Sequence, residues 1–318
     1  METSRKFCKP VIIVGAPRSG TSLLQKIIRE NPAFVSVARE SDVIWNPYIH
    51  PRVNNWRQEG LVDRQLSQED IAFILEEYGN KALPAKVWSR WSQSRIMESA
   101  FLSRLVRRVY PCADRVFTTV RRILPDRRQD LRLVDKSVHF ALWLDAVNQV
   151  FPGALYIHIA RNGRDCVRSM MNGWLDPERF NTYLLPKNLR TGGARYWCFP
   201  MPARWREYLE LPLAERVAHQ WVDIQGSINK GLDAARQENR YLLVRLEDLT
   251  GEPAQNIRRI SDYIELDWSG YFEHVAANMP VINASQKNYL TGEEYGEQPD
   301  SAIMDIIRNT QVELGYQV

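Results

Sequence analysis

Apolar positions along the chain follow two spacings. Short, nearly continuous apolar runs occur at "PVIIVGA" (10–16), "LRLVDKS" (131–137), "ALYIHIA" (154–160) and "YLLVRLEDL" (241–249). Runs of this length, bounded by Gly, Pro or charged residues, predict strands buried on both faces. Between them the spacing lengthens to three and four. Leu23, Leu24, Ile27 and Ile28 share one face of a helix over "TSLLQKIIREN", which Asn31 and Pro32 stop. Ser67 and Asp70 open "SQEDIAFILEEYG" as an N-cap and its capping-box partner. Further helices are predicted over "HFALWLDAVNQVF" (139–151) and near "GRDCVRSMMNG" (163–173), with a turn at Pro152 and Gly153 between helix and strand. Val217, Trp221, Ile224, Ile228 and Leu232 mark a long helix, and Ile257, Ile260 and Ile264 mark another after Pro253. Strands alternating with amphipathic helices predict an α/β fold, a P-loop-type parallel sheet flanked by helices on both faces. Ligands of such sheets bind at the carboxyl ends of the strands.

The alternation breaks between Trp174 and Tyr208. This segment carries eight aromatics and four prolines among arginines and lysines. It is too long for a simple connection. Either it is a packed surface excursion, or it forms a lid or wall over a substrate.

Length and composition narrow the class. The chain has 318 residues, 44% of them hydrophobic, enough for a sizeable core, and it reads as one domain over 1–318. The net charge of +4 does not indicate a nucleic-acid surface, though a local basic pocket is compatible with it. Cys8, Cys112, Cys166 and Cys198 are widely spaced and read as unpaired thiols in a reducing compartment. The apolar run after the first basic residues is too short for a signal segment or membrane anchor, and no later stretch spans a bilayer. A cytoplasmic protein with no membrane or nucleic-acid partner is expected. No His, Cys or carboxylate cluster has metal-ligand spacing, so no metal is expected.

The chemistry begins at Gly15. "GAPRSGTS" keeps a G-x-x-x-x-G frame between a strand and a helix, with a hydroxyl at Ser22. Backbone N–H groups and a helix N-terminus can converge there on an anion. Thr21 stands where a nucleotide-hydrolysing loop has lysine, so a magnesium triphosphate would lack its usual clamp. The cation comes earlier, at Arg18, whose fork can pair with an anion through two hydrogen bonds.

"PRSGTSLL" resembles the 5′-phosphosulfate loop of sulfotransferases that use 3′-phosphoadenosine 5′-phosphosulfate (PAPS), P-[KR]-[SA]-G-T-[TS]-x-L. That family, in its bacterial and tyrosyl-protein-like branches, has a second site for the 3′-phosphate, an Arg at a strand end and a Ser eight residues later. Arg161 and Ser169 stand at that spacing in "YIHIARNGRDCVRSMM". A third likeness, "VDKSVHF", puts Lys136 where the family contacts the bridging oxygen and leaving phosphate. The resemblance covers about residues 10–40, 131–175 and 241–290. It departs at 245–249, where "RLEDL" lacks the family's Tyr, and at 284–289, where Ser285 matches but Lys287 is displaced by one.

The resemblance implies a sulfotransferase. PAPS would be its co-substrate, 3′-phosphoadenosine 5′-phosphate (PAP) its product, and a hydroxyl of a small molecule or glycan its acceptor. Arg18, Ser19, Gly20, Thr21, Ser22, Arg161, Ser169 and Ser285 would bind the nucleotide, and Arg18 and Lys136 would clamp the departing charge. Two base candidates follow. Glu40, just past the loop helix and its Pro stop, is preferred because the helix–Pro–strand spacing is kept. His139, three residues after Lys136, is the alternative. The aromatic, basic 174–208 region, with Trp45, Tyr48 and Trp56, points to an amphipathic or aromatic acceptor carrying an anionic handle. A P-loop kinase and a non-catalytic binder of the nucleotide are the rival readings.

Overall fold

A computed structural model describes residues 7–37, 41–62, 65–84, 132–176, 181–191, 194–279 and 300–317. Its centre is a six-stranded sheet. In chain order the strands are β1 (Val11–Val14), β2 (Phe34–Val37), β3 (Ala82–Pro84), β4 (Arg132–Lys136), β5 (Leu155–Ala160) and, after the excursion, β8 (Tyr241–Arg245). In space they run β3-β2-β4-β1-β5-β8. All neighbours are parallel except β2 and β3. The predicted parallel α/β architecture is therefore present, with an antiparallel edge that no sequence pattern announced.

β1 shows why the strands read as unbroken apolar runs. Ile12 and Val14 pack into one hydrophobic layer, and Val11 and Ile13 into the other. Both faces are covered, so period-two alternation is lost. On the Val11 side lie α1 (Thr21–Arg29), the helix Pro253–Tyr263 and the helix Gly270–Ala277, contributing Leu24, Ile27, Ile28, Ile257, Ile260 and Phe272. The other face takes α2 (Asp42–Ile49), α3 (Gln68–Lys81), α4 (Leu144–Val150), α5 (Gly163–Trp174) and α6 (Leu213–Gly231). Val217, Trp221, Ile224 and Ile228 of α6 are fully buried, as their spacing requires. The capping box is also present, with Ser67 Oγ accepting from the Asp70 N–H and Asp70 Oδ2 accepting from the Ser67 N–H.

Two expectations need correction, and one helix was not read. The helix over 139–151 is two pieces. Val138–Leu142 forms a 3-10 turn, Trp143 breaks the course at φ −148°, and α4 follows. Ser137 Oγ accepts from the His139 N–H, which starts the tighter turn. The apolar run 241–249 is a strand only to Arg245, and Leu246–Gly251 is a short helix. A helix at Asp300–Glu313, not read from the sequence, packs beside α5 and α6, and its Gln311 Oε1 accepts from the first helical N–H of α5.

The 174–208 excursion has a core of its own. β6 (Asn181–Leu184) and β7 (Tyr196–Cys198) pair antiparallel. Tyr183, Leu185, Trp197, Met201, Trp205, Tyr208 and Leu209 pack together, with Trp56 and Trp174 against them. Three of its arginines serve this packing: Arg206 lies 4.7 Å over the Trp205 ring, Arg204 lies 5.4 Å over Tyr208, and Arg190 donates to the Leu185 carbonyl. Among the described residues no helix is long and apolar enough to cross a membrane.

Candidate active site

The carboxyl ends of β1, β4, β5 and β8 open into one cavity of about 770 Å³. Pro17, Arg18, Gly20, Thr21 and Ser22 line it after β1, Lys136 at the end of β4, Arg161 after β5, and Leu246 after β8. This is the position expected for a ligand of a parallel sheet.

The loop is shaped by backbone. A Cβ on Gly15 would meet the Ile159 carbonyl at 2.5 Å and Ser19 Oγ at 2.6 Å. Gly20, the N-cap of α1, has φ +99°, and a Cβ there would strike Leu246 at 2.7 Å. Arg18 also lies in the left-handed region at φ +70°, uncommon for a residue with a Cβ. The turn closes through the Ser19 N–H to the Ala16 carbonyl at 3.2 Å. Among the described residues no side chain caps α1 and its first turn holds no acid, so the positive end of the helix can meet an anion. Ser19 Oγ is buried and, among the described residues, has no hydrogen-bond partner. Beneath the loop Cys166 Sγ donates to the Pro17 carbonyl, and burial pushes this thiol up to about 12.

The Arg18 loop and the Arg161–Ser169 pair meet. Arg18 Nε donates to Ser169 Oγ at 3.0 Å, and Arg161 Nη1 donates to the Arg18 carbonyl at 3.2 Å. Residues 151 and 143 positions from Arg18 thus form one connected patch with it. Parallel pairing sets Lys136 opposite Ile13, two residues before Gly15, so its side chain reaches the cavity from the neighbouring strand. Asp135, just before it, is fully buried and accepts from the Tyr78 hydroxyl (2.6 Å) and the Lys136 N–H (2.8 Å). Burial pushes the Asp135 carboxyl up to about 6, opposed by those hydrogen bonds.

His139 lines the same cavity and is held from behind. Its Nδ1–H donates to Oε1 of the fully buried Glu59 at 2.7 Å. Glu59 Oε1 also accepts from Trp143 Nε1 at 3.1 Å, and Oε2 accepts from the Met201 N–H at 3.1 Å. The Tyr183 hydroxyl bonds the same carboxylate. A buried carboxylate with this many donors is well compensated. Because Nδ1 carries the proton, Nε2 is the basic nitrogen of the neutral ring.

Opposite the loop, the wall is formed by Asp42, Asn46, Ile49, His50, Val138, Thr182, Tyr183 and Phe199. His50 Nδ1 accepts from the Arg52 N–H, and desolvation followed by the Arg52 charge holds its pKa below the ordinary value. Among the described residues, Arg18, Lys136 and Arg161 are the cations lining the cavity; none comes from the 174–208 excursion. The anionic handle inferred from that segment's arginines therefore has no described partner at this wall.

Of the residues singled out in the sequence, Arg18, Gly20, Thr21, Ser22, Lys136, His139 and Arg161 line the cavity, while Ser19 and Ser169 sit directly behind it. Glu40 and Ser285 lie outside the described residues. Glu59, Asp42, Tyr183 and Phe199 were missed. Glu59 sits in the polar stretch "RQEGLVDR", where nothing local marks it. No three His, Cys, Asp or Glu side chains among the described residues are placed to hold a metal ion.

A loop, a cationic patch and a strand-end lysine at the carboxyl end of the sheet define a candidate anion-binding site in a parallel α/β fold. The sulfotransferase family matches residues 10–270, and the chain belongs to that family. It is a PAPS-dependent sulfotransferase, with its acceptor undetermined. Among solved structures, the sulfotransferase domain of the Synechococcus olefin synthase is 16% identical, with 100% of this chain and 98% of that one covered and a TM-score of 0.47. The sulfotransferase STF1 of Mycobacterium tuberculosis is 15% identical over 96% and 78% of the two chains, with a TM-score of 0.48. The mouse sulfotransferase SULT7A1, solved with PAP, is 12% identical over 96% and 88%, with a TM-score of 0.42. No curated protein matches the sequence.

Proposed function

We propose that the chain moves a sulfuryl group from PAPS to the hydroxyl of a small aromatic or amphipathic acceptor, with His139 as the base. The observation that carries this reading is a single cavity joining an anion-binding loop to a histidine held by a buried carboxylate. The residues present fit the nucleotide: an uncapped helix N-terminus, three cationic side chains, and a buried Ser19 hydroxyl without a partner among the described residues. When bound, PAPS supplies a sulfuryl group carried on a phosphate leaving group.

Ser19, Gly20, Thr21 and Ser22 would hold the 5′ anion through the loop and the helix end. Arg161 and Ser169 would hold the 3′-phosphate. Arg18 and Lys136 neutralise the charge that grows on the departing phosphate, a task that cations in a dry site perform well. His139 Nε2 takes the acceptor proton as the acceptor oxygen bonds to sulfur and the bond from sulfur to the phosphate oxygen breaks. Glu59 fixes the tautomer this needs and stabilises the imidazolium that forms.

The test compares His139→Ala with Glu40→Gln. His139→Ala should bind PAP normally while turnover falls about 10²–10⁴-fold, the usual share of a general base. More acidic phenols should recover part of that loss. If the loss and recovery belong to Glu40→Gln instead, the base is Glu40.

A further inference from the structure

Phe199 has φ +66°, a left-handed backbone position that a bulky aromatic side chain rarely adopts. Glycine or asparagine would sit there without strain. Such a conformation persists only where its surroundings over-determine it, and here they do. Gln220 is fully buried in α6, and its Nε2 donates to both carbonyls that bracket Phe199, Cys198 O and Pro200 O, each at 2.9 Å. Its Oε1 accepts from Trp174 Nε1 at 3.1 Å, which fixes the amide orientation. Trp197 Nε1 donates to Pro200 O at 3.1 Å. On the far side Glu59 ties Met201 twice, its own N–H donating to Met201 O at 2.9 Å and its Oε2 accepting from the Met201 N–H.

The turn is thus bolted by two buried polar side chains, one from α6 and one from the 51–60 segment. Its product is the placement of a single residue: Phe199 lines the same cavity as Thr182, Tyr183 and His139. Glu59 connects that placement to chemistry, because the carboxylate that anchors the turn also holds His139. The acceptor wall and the base share one anchor. Tyr183 contributes a second fixed ring, edge-on to His50 at 4.9 Å and to His139 at 6.3 Å. Rigid rings at fixed distances accept a flat partner through offset or edge contacts and exclude a puckered one of the same size.

We propose that Phe199 is the specificity-determining residue of the acceptor site, and that its bolted turn selects planar aromatic hydroxyl compounds over saturated alcohols of equal size. This rests on reading the cavity as the site of sulfuryl transfer. Phe199 acts by excluding bulk and stacking; it takes no part in the proton transfer.

The experiment measures binding of 2-naphthol and decahydro-2-naphthol to the full chain saturated with PAP, together with turnover of each by the PAPS-loaded enzyme. The wild type should bind the flat compound at least tenfold more tightly. Phe199→Leu keeps an apolar side chain of similar volume but removes the ring, and should bring the ratio close to one with PAP affinity unchanged. Phe199→Gly relieves the backbone but empties the ring's place in the core, so it should show the same collapse in the ratio with a lowered melting temperature and PAP affinity unchanged. Equal wild-type affinity for the two compounds, affinity for neither, or a preference that survives in Phe199→Leu overturns the proposal while leaving sulfuryl transfer intact. Failure of PAP to bind the wild type overturns both.

Discussion

The two ends of the cavity, proposed here as donor and acceptor sites, are built by different means. At the donor end, each described group lies at or just past the carboxyl end of a strand: the Gly15–Ser22 loop after β1, Lys136 closing β4, Arg161 following β5. Ser169 comes one helical stretch later. The acceptor end draws Glu59, His139, Tyr183, Phe199 and Met201 from separate segments, tied by side chains 80 and 142 positions apart. A local loop closes with little entropy cost; distant ties form only with the tertiary fold. A substitution at the donor end should therefore remove one contact, whereas one at the acceptor end should disturb several walls together.

The contrast sharpens in two buried groups on the strands flanking β1. Asp135 leads into the Lys136–His139 segment, and His158 of β5 leads toward Arg161. Burial pushes Asp135 up to about 6 from 3.8. Burial also pushes His158 down to about 4 from 6.5, partly offset by its bond to Gln225. The signs are opposite. Asp135 binds its proton more tightly when folded, so its contribution is fully present below about 3.8 and is lost as pH rises through 6. His158 resists protonation when folded, so its contribution is present above 6.5 and is lost as pH falls toward 4. Each amounts to at most about 3 kcal/mol, and the two slopes oppose each other between about pH 4 and 6. Urea unfolding across that range should show little net slope from this pair in the wild type. His158→Gln should unmask stability that falls with rising pH, and Asp135→Asn stability that rises with it. Parallel profiles for the two variants would contradict the assignment.

A smaller effect breaks the donor end alone. Arg161→Ala should weaken PAP binding by about 1.5–3 kcal/mol, the worth of a charge-assisted contact. It should barely change binding of adenosine 5′-phosphate, which lacks the 3′-phosphate. Calorimetry with both nucleotides checks this; an equal loss for the two moves Arg161 away from the 3′-phosphate.

The same contrast governs what could be read in advance. The loop, the strand-end Lys136 and the Arg161–Ser169 pair were legible because each is a local run whose residue types and spacing are dictated by one strand–turn–helix unit. Their convergence is visible in the bonds from Arg18 to Ser169 and from Arg161 to Arg18. The helices 213–231 and 253–263 were legible from apolar spacing. Glu59 was not, since its role arises from partners at 139, 143, 183 and 201. The left-handed Phe199 was not either, because the sequence there offers no glycine to mark the turn. Three arginines of the excursion show why composition alone does not place a binding group: Arg206, Arg204 and Arg190 contact Trp205, Tyr208 and the Leu185 carbonyl.

The smallest expected effect tests whether the two ends are separable. Tyr208 belongs to the excursion's core, and its hydroxyl donates to Asp223 Oδ2 on α6 at 2.6 Å. Burial holds the Asp223 carboxyl above its ordinary range, and the Tyr208 bond pulls it back down. Tyr208→Phe keeps the ring and removes that bond. Asp223 retains some access to water, so the loss should be about 0.5–1.5 kcal/mol, which for a chain of this size lowers the melting temperature by only a few degrees. The loss should shrink as pH falls and Asp223 takes up its proton, because the bond is strongest to the carboxylate. Tyr183 shares this core and lines the acceptor wall, so the KM for the acceptor should rise a few-fold. PAP affinity should not move, because the bond removed joins the excursion to α6 and not to the loop after β1. If PAP affinity instead falls as far as acceptor KM rises, the excursion braces both ends, and the division between a locally coded donor site and a tertiary acceptor site does not hold.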